Sequence, residues 1–297
     1  MNAARTQKIL TVLAFFAIYV LWGSTYLAIR MAVATVPPFL AAGIRFTLAG
    51  GILLSYAVLR RMPAPAAIEW RNLAISAAIL FVPSYAGLFW AEKTVPSGIA
   101  SAVVSTIPVW MALIEVLVLK QAKLRWQLIA SFVCGIGGVS ILTVRGTSGT
   151  THSVLPYIIM LATQITWSIG TLLTKNMRLP PSKPLVAGAQ MAIGGLLLLL
   201  LSGAAGEMHP FPHISVQAAL AILYLTIAGS VIAFTAYLWL LAHLPATTVA
   251  SYAYVNPVVA IALGYWLGNE TLDLRVFAGT FLVLVGVVLI LKTKRAT

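Results

Sequence analysis

Tyr19, Trp22 and Tyr26 stand at i, i+3 and i+7 within a long apolar stretch, a spacing that puts all three rings on one helix face. Gln164, Trp167 and Thr171 repeat the arrangement 145 positions later. Apolar faces with a few hydroxyl, amide or indole N–H groups suit the enclosure of a flat or amphipathic small molecule. The competing reading is helix packing or an interfacial belt, because Trp and Tyr gather near lipid headgroups. Trp22 and Trp167 fall near the middle of their stretches, which argues against the belt.

Arg45 lies inside the next apolar stretch. A charge at the centre of a membrane helix costs roughly 2.5–3.5 kcal/mol on insertion scales, and less toward the edge. Such a residue must face protein or water. It either meets a carboxylate of a bound solute or gates the outer mouth, or it pairs with a carbonyl or acidic group of the protein or snorkels to the surface. Glu115 is the one carboxylate well inside a stretch. It either carries a coupling proton, pairs with Lys120 or Arg45, or sits at the cytoplasmic interface. Pro83, Pro108 and Pro257 are read as interrupting three further stretches. Each removes a helix donor and frees a carbonyl, leaving backbone that a solute or water can meet. Ser84 and Tyr85 beside the first proline, and Tyr252, Tyr254 and Asn256 beside the last, are therefore candidate lining residues. Kinks that only shape packing are the alternative.

The elements that hold these side chains follow from composition. The chain has 297 residues, 61% hydrophobic and 8% charged, with a mean hydropathy of +0.99. Soluble domains carry roughly 25% charged residues, so this chain cannot coat itself for water. A bilayer core about 30 Å thick takes about 20 helical residues to cross. Ten runs have that character: 9–31, 39–59, 72–91, 97–119, 126–144, 154–174, 185–203, 216–241, 246–268 and 275–292. They are continuously apolar, not alternating, which favours helices over a β-barrel. The first follows Arg5 and Lys8 as a signal peptide would, but it runs on without a small-residue cleavage site and is read as an uncleaved span. The fold class expected is all-α, a polytopic membrane protein of ten transmembrane helices. The net charge of +13 is scattered along the chain, whereas nucleic-acid binding needs a concentrated patch. A single cysteine, Cys134, excludes an internal disulfide.

Lys and Arg at the span ends set the orientation. Fourteen fall on one side: Arg5, Lys8, Arg60, Arg61, Arg71, Lys120, Lys123, Arg125, Lys175, Arg178, Lys183, Lys292, Lys294 and Arg295. Arg30, Lys93, Arg145 and Arg275 fall on the other. The richer side is cytoplasmic, and both termini lie there. The chain also repeats itself. At an offset of 149, Pro96 falls on Pro245, Pro108 on Pro257, Phe132 on Phe281 and Gly137 on Gly286; at 145, Trp22 falls on Trp167 and Ala42-Gly43 on Ala187-Gly188. Gly43 and Gly50, like Gly188 and Gly195, are seven apart on one face, where small residues let membrane helices approach closely. The link after the fourth span is basic, with Lys120, Lys123 and Arg125, and its counterpart carries Glu270 and Asp273. Five spans per copy is odd, so the copies, residues 1–145 and 150–297, are expected to lie upside down to one another. Inverted repeats with a site between them are a transporter architecture, and a solute held there is exposed to the two sides in turn.

Several motifs carry a resemblance. Trp22-Gly23-Ser24-Thr25-Tyr26, Gly43-Ile44-Arg45-Phe46, Pro108, Ser251-Tyr252-Ala253-Tyr254-Val255-Asn256-Pro257-Val258-Val259 and Gly286-Val287-Val288-Leu289 are similar, in order and spacing, to the ten-helix EamA-type exporters of the drug/metabolite transporter superfamily. The resemblance implies an inner-membrane exporter of small metabolites, amino acids and amphipathic drugs among them. It also implies a central cavity lined by spans one, three, four, six, eight and nine. Many relatives place a Glu in the links after both the fourth and the ninth spans; here Glu270 fits, while Glu115 sits earlier, inside span four.

An intramembrane enzyme would need a catalytic set at depth, and none appears. A channel would show a continuous polar stripe. His209-Pro-Phe-Pro-His213 could bind a metal weakly, but two His in an outer loop are far more often incidental, and no cofactor is expected. The partners expected are a small-molecule substrate and the bilayer. The sequence leaves the oligomeric state open, a single copy included. Trp22→Ala or Trp167→Ala is expected to impair uptake into vesicles while leaving the yield of folded protein nearly unchanged.

Overall fold

A computed structural model describes residues 3–120, 124–143, 153–210 and 212–293. Lys123, Arg145, Lys294 and Arg295 of the charge count lie outside them. The described residues form helices and no strand. Eight helices are long and apolar enough to cross a membrane: Arg5–Val33, Pro38–Leu59, Ala67–Ala91, Ser97–Leu117, Trp126–Thr143, Leu155–Asn176, Lys183–Ala204 and Val216–His243. Ala246–Val249 with Tyr252–Gly268, then Leu274–Thr293, complete ten spans. In hydrocarbon every backbone group must be bonded within its own segment, and these uninterrupted apolar runs meet that demand as helices. Polar residues set the ends. Ser182 and Ser215 accept from the N–H groups of Leu185 and Ala218 to start spans seven and eight. Asn269, with φ of 51°, ends span nine in the left-handed region.

Packing crosses the two halves. Span two lies along span seven, five along ten, four along nine, three along six and one along eight. Exchanging the numbering of the two halves maps this set of pairs onto itself. The glycines expected to allow close approach do so: a Cβ on Gly50 would lie 2.4 Å from the backbone N of Ala192, and one on Gly195 would lie 2.4 Å from that of Thr47. Backbone cannot retreat as a side chain can. Gly50→Ala is therefore expected to destabilise the fold by about 1–3 kcal/mol, seen as a lower unfolding temperature in detergent. Gly51→Ala, where a Cβ meets nothing within 4 Å, serves as the neutral control; equal unfolding temperatures for the two variants would refute the close approach.

The prolines behave differently from the expectation. Span three runs as unbroken helix through Pro83. The breaks in spans four and nine fall ahead of the prolines, at Ser105–Thr106 and Ala250–Ser251. Pro108 sits in the first turn of the helix restarting at Ile107, where its missing N–H costs no bond. Pro257 lies inside the restarted helix Tyr252–Gly268. Two π-helical segments, Ala17–Leu21 in span one and Leu225–Ile232 in span eight, are the further irregularities. Their wide turns redirect the backbone bonding and, as in many proteins, lie at the site.

Candidate functional site

The side chains at the centre of the bundle enclose a cavity of about 50 Å³. A water needs about 10–15 Å³ of such space, so the cavity has room for a few waters and no amino acid. Span one contributes Trp22, Thr25, Tyr26 and Ile29, and span three Ser84, Tyr85 and Leu88. Spans four and nine add Val104, Ile107 and Tyr252; span six adds Thr163, Gln164 and Trp167; span two adds Arg45.

The two tryptophans meet edge to face, with ring centroids 5.9 Å apart. Around them Tyr252 lies edge-on to Trp22 at 5.1 Å, Tyr85 edge-on to Trp167 at 5.7 Å, and Tyr237 of span eight tilts against Trp22 at 5.0 Å. The π-helical turn of span eight anchors this cluster. The Trp22 indole N–H donates to the carbonyl of Gly229 at 2.9 Å. Arg45 Nε donates to Ser230 Oγ at 2.9 Å.

Arg45 is 2% exposed. Its guanidinium lies over the rings of Phe46 and Tyr85, 4.5 and 5.3 Å from their centroids, and Nη1 has no hydrogen-bond partner among the described residues. None of the ion pairs found among the described residues includes Arg45. Gln190, its counterpart at an offset of 145, is also buried and donates to Ser76 Oγ at 2.7 Å. Each of these two residues thus reaches a serine in the third span of the opposite half. At this depth a cation without an acidic partner is costly to hold, and the residue that carries it is part of the cavity lining.

Of the residues singled out in the sequence, Trp22, Tyr26, Arg45, Ser84, Tyr85, Gln164, Trp167 and Tyr252 line the cavity. Four others stand one layer back. Tyr19 shares a hydrogen bond with Ser251 at 2.8 Å, and Thr171 shares one with Tyr237 at 3.1 Å. Tyr254 donates to the Val287 carbonyl at 3.0 Å. Asn256, with its amide oriented to satisfy both ends, donates to the carbonyls of Ile18 and Tyr19 at the π-helical turn of span one. Glu115 sits half-buried near the end of the helix Ile107–Leu117, away from the lining. The sequence reading missed Tyr237 and the π-helical turn of span eight. At an offset of 149, Phe234 falls on the candidate Tyr85 and Tyr237 on Leu88, so the repeat points at this stretch of span eight through Phe234 and not at Tyr237 itself. It also missed Glu92, which it placed in a link and which is completely buried.

The end of the bundle that the charge count makes outer is tied shut. Arg30 Nη1 donates to Glu270 Oε1 at 2.7 Å, and the same carboxylate accepts from the N–H groups of Ser97 and Gly98 at 2.7 and 3.2 Å. One side chain thereby joins span one, the start of span four and the link after span nine, and its charge faces a helix N-terminus. Nearby, Glu207 accepts from the N–H groups of Phe39 and Leu40 at 3.3 and 2.9 Å, capping span two. In the same link as Glu270, burial opposes ionisation of Asp273, but bonds from Arg275 and the Val276 N–H hold its carboxyl below the ordinary carboxylate range.

Comparison with known proteins fits this picture. The sequence pattern of the EamA-like transporter family matches residues 9–144 and again 154–292. The uncharacterized inner membrane transporter YedA of Escherichia coli strain K12 is 37% identical over 265 residues, 88% of this chain and 83% of that protein. The Protein PecM of Dickeya dadantii is 30% identical over 262 residues, 85% and 82% of the two chains. A probable amino-acid metabolite efflux pump of E. coli K12 is 24% identical over 279 residues, 91% and 90%. A solved crystal structure shares the fold with a TM-score of 0.67 at 20% identity, over 96% of this chain and 98% of the other. With its helical membrane fold and no strand among the described residues, the chain belongs to the EamA-like transporter family: it is a membrane transporter and not an enzyme.

Proposed function

We propose that the chain exports small organic solutes that join a carboxylate to an apolar or aromatic body, amino acids and related metabolites foremost, across an inner membrane. The work is done by alternating access of two inverted five-span halves, residues 1–145 and 150–297, with both termini in the cytoplasm. The observation that carries this reading is Arg45, a residue of the cavity lining whose guanidinium is buried against aromatic rings with Nη1 unpartnered among the described residues. A solute carboxylate supplies the partner the protein withholds, and the Trp22, Trp167 and Tyr85 rings take its apolar part. The crosswise packing of the halves, the family match to each half, and relatives named inner membrane transporter and amino-acid metabolite efflux pump support the same reading. The cavity is too small for such a solute in this form, so loading requires the bundle to open around it.

Counterflow of radiolabelled amino acids in proteoliposomes, with and without a pH gradient, tests the proposal. Saturable exchange of aromatic and branched-chain amino acids is expected, with no exchange of amines or amides that lack the carboxylate. Equal exchange of decarboxylated analogues would remove the role given to Arg45. Unsaturable flux at conductances far above transporter turnover would mark a channel-like facilitator instead.

A further inference from the structure

We infer that Glu92 is a proton-binding site that couples closure of the outer mouth to pH, its acid form belonging to the closed mouth and its carboxylate to the open one. A proton is taken from the water outside as the mouth closes and is given back to it as the mouth opens. This rests on the alternating-access reading above.

Glu92 is the first residue past span three, and its backbone N–H closes the last turn on the carbonyl of Leu88. Tyr85, Leu88 and Glu92 share a helix face by their i, i+3, i+7 spacing, and the first two line the cavity. Glu92 therefore continues the lining one turn outward, between the cavity and the latch of Arg30 with Glu270. It is 0% exposed, and among the described residues neither carboxyl oxygen has a hydrogen-bond partner. The titratable and charged groups that face it are Glu270 from the link after span nine, Arg30 and Tyr26 from span one, and Arg45 from span two. Lys93, next in sequence, is exposed.

These neighbours divide the two acids. Glu270 holds Arg30 and two backbone N–H groups, the surroundings of a carboxylate. Glu92 holds no donor. Burial first, then the charge of Glu270, pushes its carboxyl well above the ordinary carboxylate range, with Arg30 and Arg45 pulling the other way. Parting Arg30 from Glu270 would admit water to Glu92 and restore ordinary carboxylate behaviour. Closure takes up one proton from that water, converting carboxylate to acid. The closed form is therefore favoured most below the ordinary carboxylate range. Its advantage is lost as pH rises through the raised value, by up to about tenfold in the closed-to-open ratio per pH unit.

Pulsed EPR on the full-length protein, spin-labelled at Lys93→Cys and Thr271→Cys with Cys134→Ser, reads the distance across the mouth as pH is varied. The wild-type background should show two distances, the short one gaining as pH falls. Glu92→Gln should hold the short distance at every pH, and Glu92→Asp should keep the slope with a shifted midpoint. Glu270→Gln should do the opposite of Glu92→Gln, populating the long distance while keeping a pH response. Two distances whose ratio is flat from about pH 5 to 9, or an unchanged slope in Glu92→Gln, would overturn the inference and leave the transport reading standing. An unmoved midpoint in Glu92→Asp overturns it even if Glu92→Gln does not fold. A single distance at every pH would overturn both.

Discussion

Arg45→Met should abolish exchange of carboxylate-bearing solutes and, in the same protein, raise the unfolding temperature. The two effects share one cause. Arg45 is buried with a single side-chain hydrogen bond, to Ser230, and no acidic partner among the described ion pairs. Replacing buried charges by apolar side chains of similar volume is often neutral or stabilising by about 1–4 kcal/mol. Met keeps most of the aliphatic stem and discards the charged group that lies over Phe46. The charge is what a solute carboxylate needs: a hydrogen bond to a charged group contributes about 1.5–3 kcal/mol, roughly a ten- to hundredfold change in affinity. Arg45→Lys should keep a cation but lose the planar fork and ring stacking, giving an intermediate loss. Binding is checked by scintillation proximity with a labelled amino acid, and stability by thermal unfolding in the same detergent. A variant that loses stability and transport together would make Arg45 a packing residue, and one that transports normally would remove the carboxylate site.

How far the sequence announced this site depends on the kind of signal each residue gives. Trp22, Tyr26 and Trp167 were legible because a 3.6-residue period and an internal repeat both point at them. Arg45 announced that it must be explained, since a charge inside an apolar run is costly, but its surroundings come from other spans. Only the fold shows that Ser230 takes one nitrogen and that no ion pair among the described residues takes the others. The π-helical segments were invisible: Ala17–Leu21 and Leu225–Ile232 are as apolar as the α-helix on either side. The helix breaks were partly legible. Proline lacks a helix donor, which draws attention to Pro108 and Pro257, but Ile107 and Asn256 before them are helical and the breaks lie farther ahead, at Ser105–Thr106 and Ala250–Ser251. Glu92 was hidden by its position beside Lys93 and Thr94, where a polar link is the natural reading. Its burial depends on how the outer ends of spans one, three and four meet.

Trp22→Ala carries the second large effect, and here the structure changes the expectation drawn from sequence. As a lining residue alone, Trp22 could be removed with little harm to folding. Its environment says otherwise: the ring is buried, it contacts Trp167, Tyr237 and Tyr252, and its N–H holds the Gly229 carbonyl of the π-helical turn. Truncating a buried Trp costs about 3–5 kcal/mol in soluble cores. In lipid the transfer part of that cost is absent because the surroundings are already apolar, so the lower end applies, near 3 kcal/mol, most of it lost packing. The yield of folded protein should fall, along with exchange. Trp22→Phe separates the two roles. It keeps an aromatic edge toward Trp167 and loses the bond to Gly229, which releases a buried carbonyl at a cost of about 1–3 kcal/mol. If the π-helical turn positions Arg45 through its neighbour Ser230, then Trp22→Phe should weaken carboxylate binding although Trp22 is not the group that pairs with the carboxylate. Binding by Trp22→Phe at wild-type strength, with unfolding temperature alone reduced, would confine Trp22 to packing and uncouple the aromatic cluster from the arginine beside it.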